Sequence, residues 1–120
     1  MFRIRRIYDH IAPRNRGAVA QVQTILQEQF PGVPEADIAK LPAQLQDPLQ
    51  FRFRSILFVA DNAAGQVIGF ALLLHAPDLK FCYLEYIATA QERTSRGIGG
   101  ALYDRVRQVA HTFISKPLTT

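Results

Sequence analysis

Apolar and polar positions change period several times along this chain, and each change predicts an element. Residues 2–8 alternate apolar with basic side chains, as a half-buried strand does. Ala12-Pro13-Arg14-Asn15 is turn composition with helix-start chemistry. From about Arg16 to Phe30, Val19, Val22, Leu26 and Phe30 recur at three- and four-residue steps with Ile25 beside them, which predicts an amphipathic helix. Phe30-Pro31-Gly32-Val33-Pro34 ends it. A second helix is expected from Pro34-Glu35 through Leu41 or Leu45, with Pro42 disturbing its middle. Gln50 to Ala60 reads as a strand, most densely apolar from Ile56 to Val59. Asp61-Asn62-Ala63-Ala64-Gly65 is a turn, and Gln66 to His75 returns as the partner of a hairpin. Ala76-Pro77-Asp78 turns again into a strand at 81–89. The last helix starts near Ile98 and carries Leu102, Val106, Val109 and Phe113 on one face. The expected class is α/β, of the α+β kind with a mixed sheet, in a single domain over residues 1–120.

One junction in this order carries chemistry. The strand Phe81-Cys82-Tyr83-Leu84-Glu85-Tyr86-Ile87-Ala88-Thr89 is followed by Arg93-Thr94-Ser95-Arg96-Gly97-Ile98-Gly99-Gly100-Ala101-Leu102. A strand, a polar turn and glycines opening a helix form a recurring anion cradle. The first helical N–H groups point outward, the helix dipole favours negative charge, and glycine lets a diphosphate reach the backbone. A nucleoside-triphosphate loop would need Gly-Lys-Ser/Thr, and no lysine follows Gly97 before Lys116. A dinucleotide fingerprint would need a third glycine where Leu102 stands and an acidic residue about twenty positions on, where the chain has nearly ended. Neither pattern is met. A plain helix-entry turn is the alternative to an anion site.

Thr94-Ser95-Arg96-Gly97-Ile98-Gly99 resembles the Arg/Gln-x-x-Gly-x-Gly/Ala signature of the GCN5-related N-acetyltransferases (GNAT). The flanking Tyr86-Ile87-Ala88-Thr89 and Ala101-Leu102-Tyr103 resemble that family too. Thr94 departs from the signature's arginine or glutamine, and Arg93 and Arg96 are the nearby charges that can replace it. The resemblance implies an acyl-CoA N-acyltransferase fold and acetyl-coenzyme A as co-substrate, with no metal. It implies that Arg93, Thr94, Ser95, Arg96, Gly97, Ile98, Gly99, Gly100 and Ala101 receive the pyrophosphate. The backbone of Tyr86, Ile87, Ala88 and Thr89 would then dock the pantetheine arm. In that family a further strand, a helix and two strands follow. Here the chain stops at Thr120, so a C-terminally truncated form of the fold is expected. A second copy pairing with the open edge at 81–89, as a homodimer, is the other way to complete the cleft.

Composition narrows the alternatives. No apolar run approaches bilayer length, and the N-terminus lacks a signal peptide's apolar core, so no membrane partner is expected. A single cysteine, Cys82, excludes an internal disulfide and suggests a cytoplasmic protein. The formal charge of +4 admits nucleic acid, but the arginines are spread over many elements and a cofactor with several phosphates needs cations too. Phe51-Arg52-Phe53-Arg54 lacks the glycines of an RNA-recognition strand and reads as a strand entry with one solvated face. His10, His75 and His111 have no metal-ligand spacing.

Acetyl transfer to an amine requires loss of a proton, because alkyl amines are protonated at neutral pH. The candidate base is Glu85, set among Tyr83, Leu84, Tyr86 and Ile87, where apolar surroundings would favour its neutral form. The family often carries a glutamate on this strand. The alternative is a carboxylate paired with an arginine or facing water. Cys82 reads as a core thiol and Tyr103 as a half-buried packing residue. Acceptor selection falls to residues 30–50 and to the strand ends near His75 and Pro77. The implied activity is acetyl transfer by direct attack on a small-molecule or protein amine; the alternative is a non-catalytic acyl-CoA-binding module or an inactive remnant.

Overall fold

The computed structural model describes residues 2–8, 11–46, 54–76, 81–90 and 97–115. The element order is β1 (Phe2–Ile7), α1 (Pro13–Gln29), α2 (Glu35–Ala39), α3 (Leu41–Gln46), β2 (Arg54–Asn62), β3 (Val67–Ala76), β4 (Phe81–Thr89) and α4 (Ile98–Ser115). The four strands form one sheet in the order β1-β2-β3-β4, every neighbouring pair antiparallel. Sheet and helices together make an α+β fold, with the order of elements that the periodicity predicts.

Several boundaries differ from the pattern, each for a local reason. Helix α1 begins at Pro13, three residues before Arg16, because proline at a first helical position gives up no hydrogen bond. Residues 35–46 form two short helices that meet at Lys40. Pro42 has no N–H to offer the Ile38 carbonyl one turn back, and the Gln23 side chain donates to that carbonyl at 2.9 Å instead. Strand β2 runs on to Asn62, so Asp61 belongs to the sheet and not to the turn. Asp61 is buried, and Arg5 on β1 donates through Nε to its Oδ2 at 2.5 Å, holding the first two strands together. Residues 50–53, the expected start of β2, lie outside the described residues.

The sheet buries both faces. Helices α1, α2 and α3 cover one, where Val22, Leu26, Ile38 and Leu41 pack on Leu57, Val59, Phe70 and Leu72. Helix α4 covers the other, with Ile98, Leu102 and Val106 against Ile56, Phe58, Ala71 and Leu73. Gly69 on β3 lets α4 come this close. A Cβ there would lie 2.9 Å from Ile98 Cγ2, 3.2 Å from Leu102 Cδ1 and 3.1 Å from the Ala88 carbonyl oxygen. The end of β4 and the start of α4 are thereby brought side by side over one residue of β3.

Candidate active site

Strand β4 is irregular at the position that matters. Leu73 pairs with Leu84 and Leu72 with Tyr86, so Glu85 is an extra residue on β4 with no partner across the ladder. Strict alternation would send Glu85 and Tyr86 to opposite faces. The bulge turns both toward α2 and α3, where they line a cavity of about 270 Å³ with Leu26, Val33, Asp37 and Lys40. Leu41, Gln44 and Leu72 complete that side of it. After the bulge the alternation resumes: Ile87 packs on the α4 side and Ala88 on the α1 side.

The cavity changes how Glu85 ionises. Burial pushes its carboxyl above the usual carboxylate range, and the negative charge of Asp37 adds to the rise. Tyr86 is affected in the same sense: burial raises its phenol, with smaller contributions from Glu85, Asp37 and Tyr83. Its hydroxyl is therefore a donor at neutral pH. The Tyr86 ring is fixed against Phe30, with centroids 5.0 Å apart and planes at 59°. The end of β4 is tied to α1 by the Gln29 side-chain amide, which donates to the Thr89 carbonyl. The Ala90 N–H donates to Ile68 O at 2.9 Å.

The start of α4 has the features of an anion site. Gly97 has φ +85°, a conformation that favours glycine. The Ala101 N–H donates to the Gly97 carbonyl at 2.9 Å, closing the first helical turn. The amides of Ile98, Gly99 and Gly100 precede that bond and are left for another acceptor. A Cβ placed on Gly97, Gly99 or Gly100 would meet nothing within 4 Å. Among the described residues the space beside these three glycines is therefore clear of side chains, and no acidic residue stands in the first turn. Ile98 is fully buried and anchors the turn to the sheet. On the remaining edge of β4 no further strand pairs among the described residues.

These residues fit a ligand with a diphosphate and an extended arm: amides at one end, an open strand edge beside them, and a carboxylate in the adjoining cavity. Of the expected site residues, Glu85, Tyr86, Ile87, Ala88 and Thr89 lie on the bulged strand, and Gly97, Ile98, Gly99, Gly100 and Ala101 lie on the facing helix start. Arg93, Thr94, Ser95 and Arg96 lie outside the described residues. Tyr103 is 50 % exposed, more open than the packing role expected of it. Cys82 is half-buried against the α4-side core. Sequence reasoning did not single out Asp37. Its only signal was its place beside Glu35 in the first turn of α2. No group of three or more His, Cys, Asp or Glu that could hold a metal occurs among the described residues.

This sheet and its helices make an acyl-CoA N-acyltransferase fold, as the family match and the similar solved structures show. The acetyltransferase (GNAT) family model matches residues 19–115, and the chain belongs to that family. Among solved structures, Tetrahymena GCN5 is similar with a TM-score of 0.77 at 18% identity, over 93% of this chain and 65% of that one. The catalytic domain of Tetrahymena GCN5 histone acetyltransferase in complex with coenzyme A gives a TM-score of 0.73 at 18% identity, covering 95% of this chain and 64% of that one. A GNAT-family protein from Desulfovibrio desulfuricans gives 0.68 at 16% identity, over 92% and 67% of the two chains. The chain thus spans less than two thirds of either Tetrahymena structure. Among curated proteins no sequence matches it.

Proposed function

We propose that this chain transfers an acetyl group from acetyl-coenzyme A to a primary amine, with Glu85 as the proton acceptor. The observation that carries the reading is the β4 bulge. It places a carboxylate with a raised pKa in a cavity beside the strand that leads to the open amides of α4.

Bound acetyl-coenzyme A would supply a thioester already activated toward amines. The amides of Ile98, Gly99 and Gly100 bind its pyrophosphate, helped by the positive end of the α4 dipole. The residues from Tyr86 to Thr89 offer a strand edge that can pair with the amides of the pantetheine arm. Arg93, Thr94, Ser95 and Arg96 add side chains to the same loop by the family signature. Glu85 accepts the ammonium proton of the acceptor, directly or through a water, and leaves the amine neutral for attack. A carboxyl with a raised pKa suits this work, because it is a stronger base than an ordinary surface carboxylate. Leu26, Val33 and Leu72 form the apolar part of the cavity wall beside Glu85.

The fold carries no acceptor identity. The free thiol of Cys82 supports work in a reducing compartment such as the cytoplasm. Among the described residues no helix is long and apolar enough to cross a membrane. The test is acetyl transfer to a panel of amines by wild type and Glu85→Gln, with cofactor binding measured in parallel. Turnover that depends on Glu85 while binding does not supports the reading. Cofactor binding without turnover on any amine would replace it with a non-catalytic acyl-CoA module.

A further inference from the structure

The cavity beside Glu85 holds a second carboxylate from a different element. Asp37 comes from α2 and Glu85 from the β4 bulge, and both line the same space of about 270 Å³. They are close enough for Asp37 to hold back the ionisation of Glu85. Among the described residues Lys40 is the one cation of that lining. Its Nζ lies 3.8 Å from Asp37 Oδ1, with both side chains more than half exposed. An exposed pair one turn apart on a short helix is weak, so a ligand cation can displace the lysine at little cost. Leu26, Val33, Leu41 and Leu72 line the same space and give it an aliphatic portion, beside the polar Gln44.

We propose that Asp37 makes this site selective for a small acceptor bearing two cationic groups on an apolar spacer, a diamine in chemical class. One amine reacts beside Glu85 and the other is held by Asp37 in place of Lys40. This rests on the acetyltransferase reading of the same cavity. A single amine satisfies Glu85 and leaves Asp37 with its weak internal partner. An acceptor with a carboxylate near its amine, such as a free amino acid, brings negative charge toward Asp37 and is disfavoured. The volume is at the lower end of small-molecule sites, which matches a short aliphatic dication. A lysine side chain on a protein would fill the apolar walls but present one charge, so it gains nothing from Asp37.

The test compares short straight-chain diamines with monoamines of the same length. The readouts are kcat/KM for transfer and the calorimetric affinity of each amine for the chain without cofactor. The expected result is a preference for the diamine of about fivefold, the strength of one partly exposed ion pair. That preference should fall toward unity in Asp37→Asn and weaken with added salt. Lys40→Gln, which removes the internal competitor, should increase it. Equal values for the two amine classes in wild type would overturn the proposal. So would a preference that survives Asp37→Asn, including a loss of both amines in equal proportion, the mark of a merely structural role. Better transfer to a lysine peptide than to any diamine would also overturn it. The cofactor-free titration separates this claim from the one it rests on. Diamine binding that depends on Asp37, without transfer to any amine, would sink the transferase reading alone.

Discussion

Glu85 and Tyr86 are neighbours in the chain, yet both side chains face the cavity under α2 and α3, because Glu85 is the extra residue of the β4 bulge. The bulge gives the carboxylate its place on the cavity and its partial burial together. Replacing Glu85 by glutamine keeps size and shape and removes the base. Transfer at neutral pH should fall about 100-fold or more, while the affinity for acetyl-coenzyme A stays within error. Steady-state kinetics beside calorimetry reads both. Equal turnover in the variant would remove Glu85 from the mechanism.

The raised Glu85 pKa has two pH consequences. Transfer should rise with pH through a limb set above the usual carboxylate range, and Asp37→Asn should move that limb down without bringing it fully to the ordinary value, because burial is the larger cause. For stability the sign is opposite to that of an ion-paired carboxylate. The native state holds this proton more tightly than the unfolded chain, so the favourable contribution is present at acid pH and is lost as the pH rises through the folded value. Glu85→Gln should therefore raise Tm at about pH 8 more than near pH 4. Thermal melts at the two values check it.

Glycines at the head of α4 separate folding from binding. Nothing lies within 4 Å of a Cβ at Gly99, so Gly99→Glu should fold with an unchanged Tm and lose cofactor affinity through charge and bulk at the amides. Gly97→Ala forces a side chain onto a backbone of φ +85°. It should cost about 1 kcal/mol of stability and weaken binding less. Gly69→Ala, by contrast, should destabilise by about 1–3 kcal/mol through overpacking against Ile98 and Leu102. It should also weaken the cofactor by displacing the helix start.

The Arg5–Asp61 pair gives a prediction away from the site. Asp61 is 5 % exposed and Arg5 is 18 % exposed, with Arg14 3.9 Å away as a weaker second partner. The Arg5 guanidinium also donates to Asn15 Oδ1 at 2.9 Å, joining β1 to the start of α1. Arg5→Met should destabilise by about 3 kcal/mol because it leaves a buried carboxylate with one distant cation. Adding Asp61→Leu should recover much of that loss. Denaturant unfolding of the single and double variants measures it.

How much of this was written in the order of residues differs by element. Alternation in 2–8, the apolar runs between the turn signals at 61–65 and 76–78, and the spacing of Val19, Val22 and Leu26 were enough for most elements and their order. Gly97, Ile98 and Gly99 marked the proposed anion site, since glycine spacing is a local signal. The bulge was not legible, because it is a mismatch between β4 and β3 and neither strand shows it alone. Glu85 could be singled out as a candidate base from its apolar neighbours, but its shared face with Tyr86 was not legible. Asp37 was missed for the same reason: it meets Glu85 only after the helices fold over the sheet. Lys40 as the break between α2 and α3 follows from Pro42, but the part played by Gln23 needs the tertiary contact.

In the proposed function the turn from Gly97 to Gly100 holds the pyrophosphate of acetyl-coenzyme A. Calorimetric titration of the purified chain with acetyl-coenzyme A, beside Gly99→Glu, tests it most directly. Wild type should bind saturably at micromolar concentration and the variant not at all, with both proteins equally folded. Binding of equal strength to the two, or none to either, would contradict it.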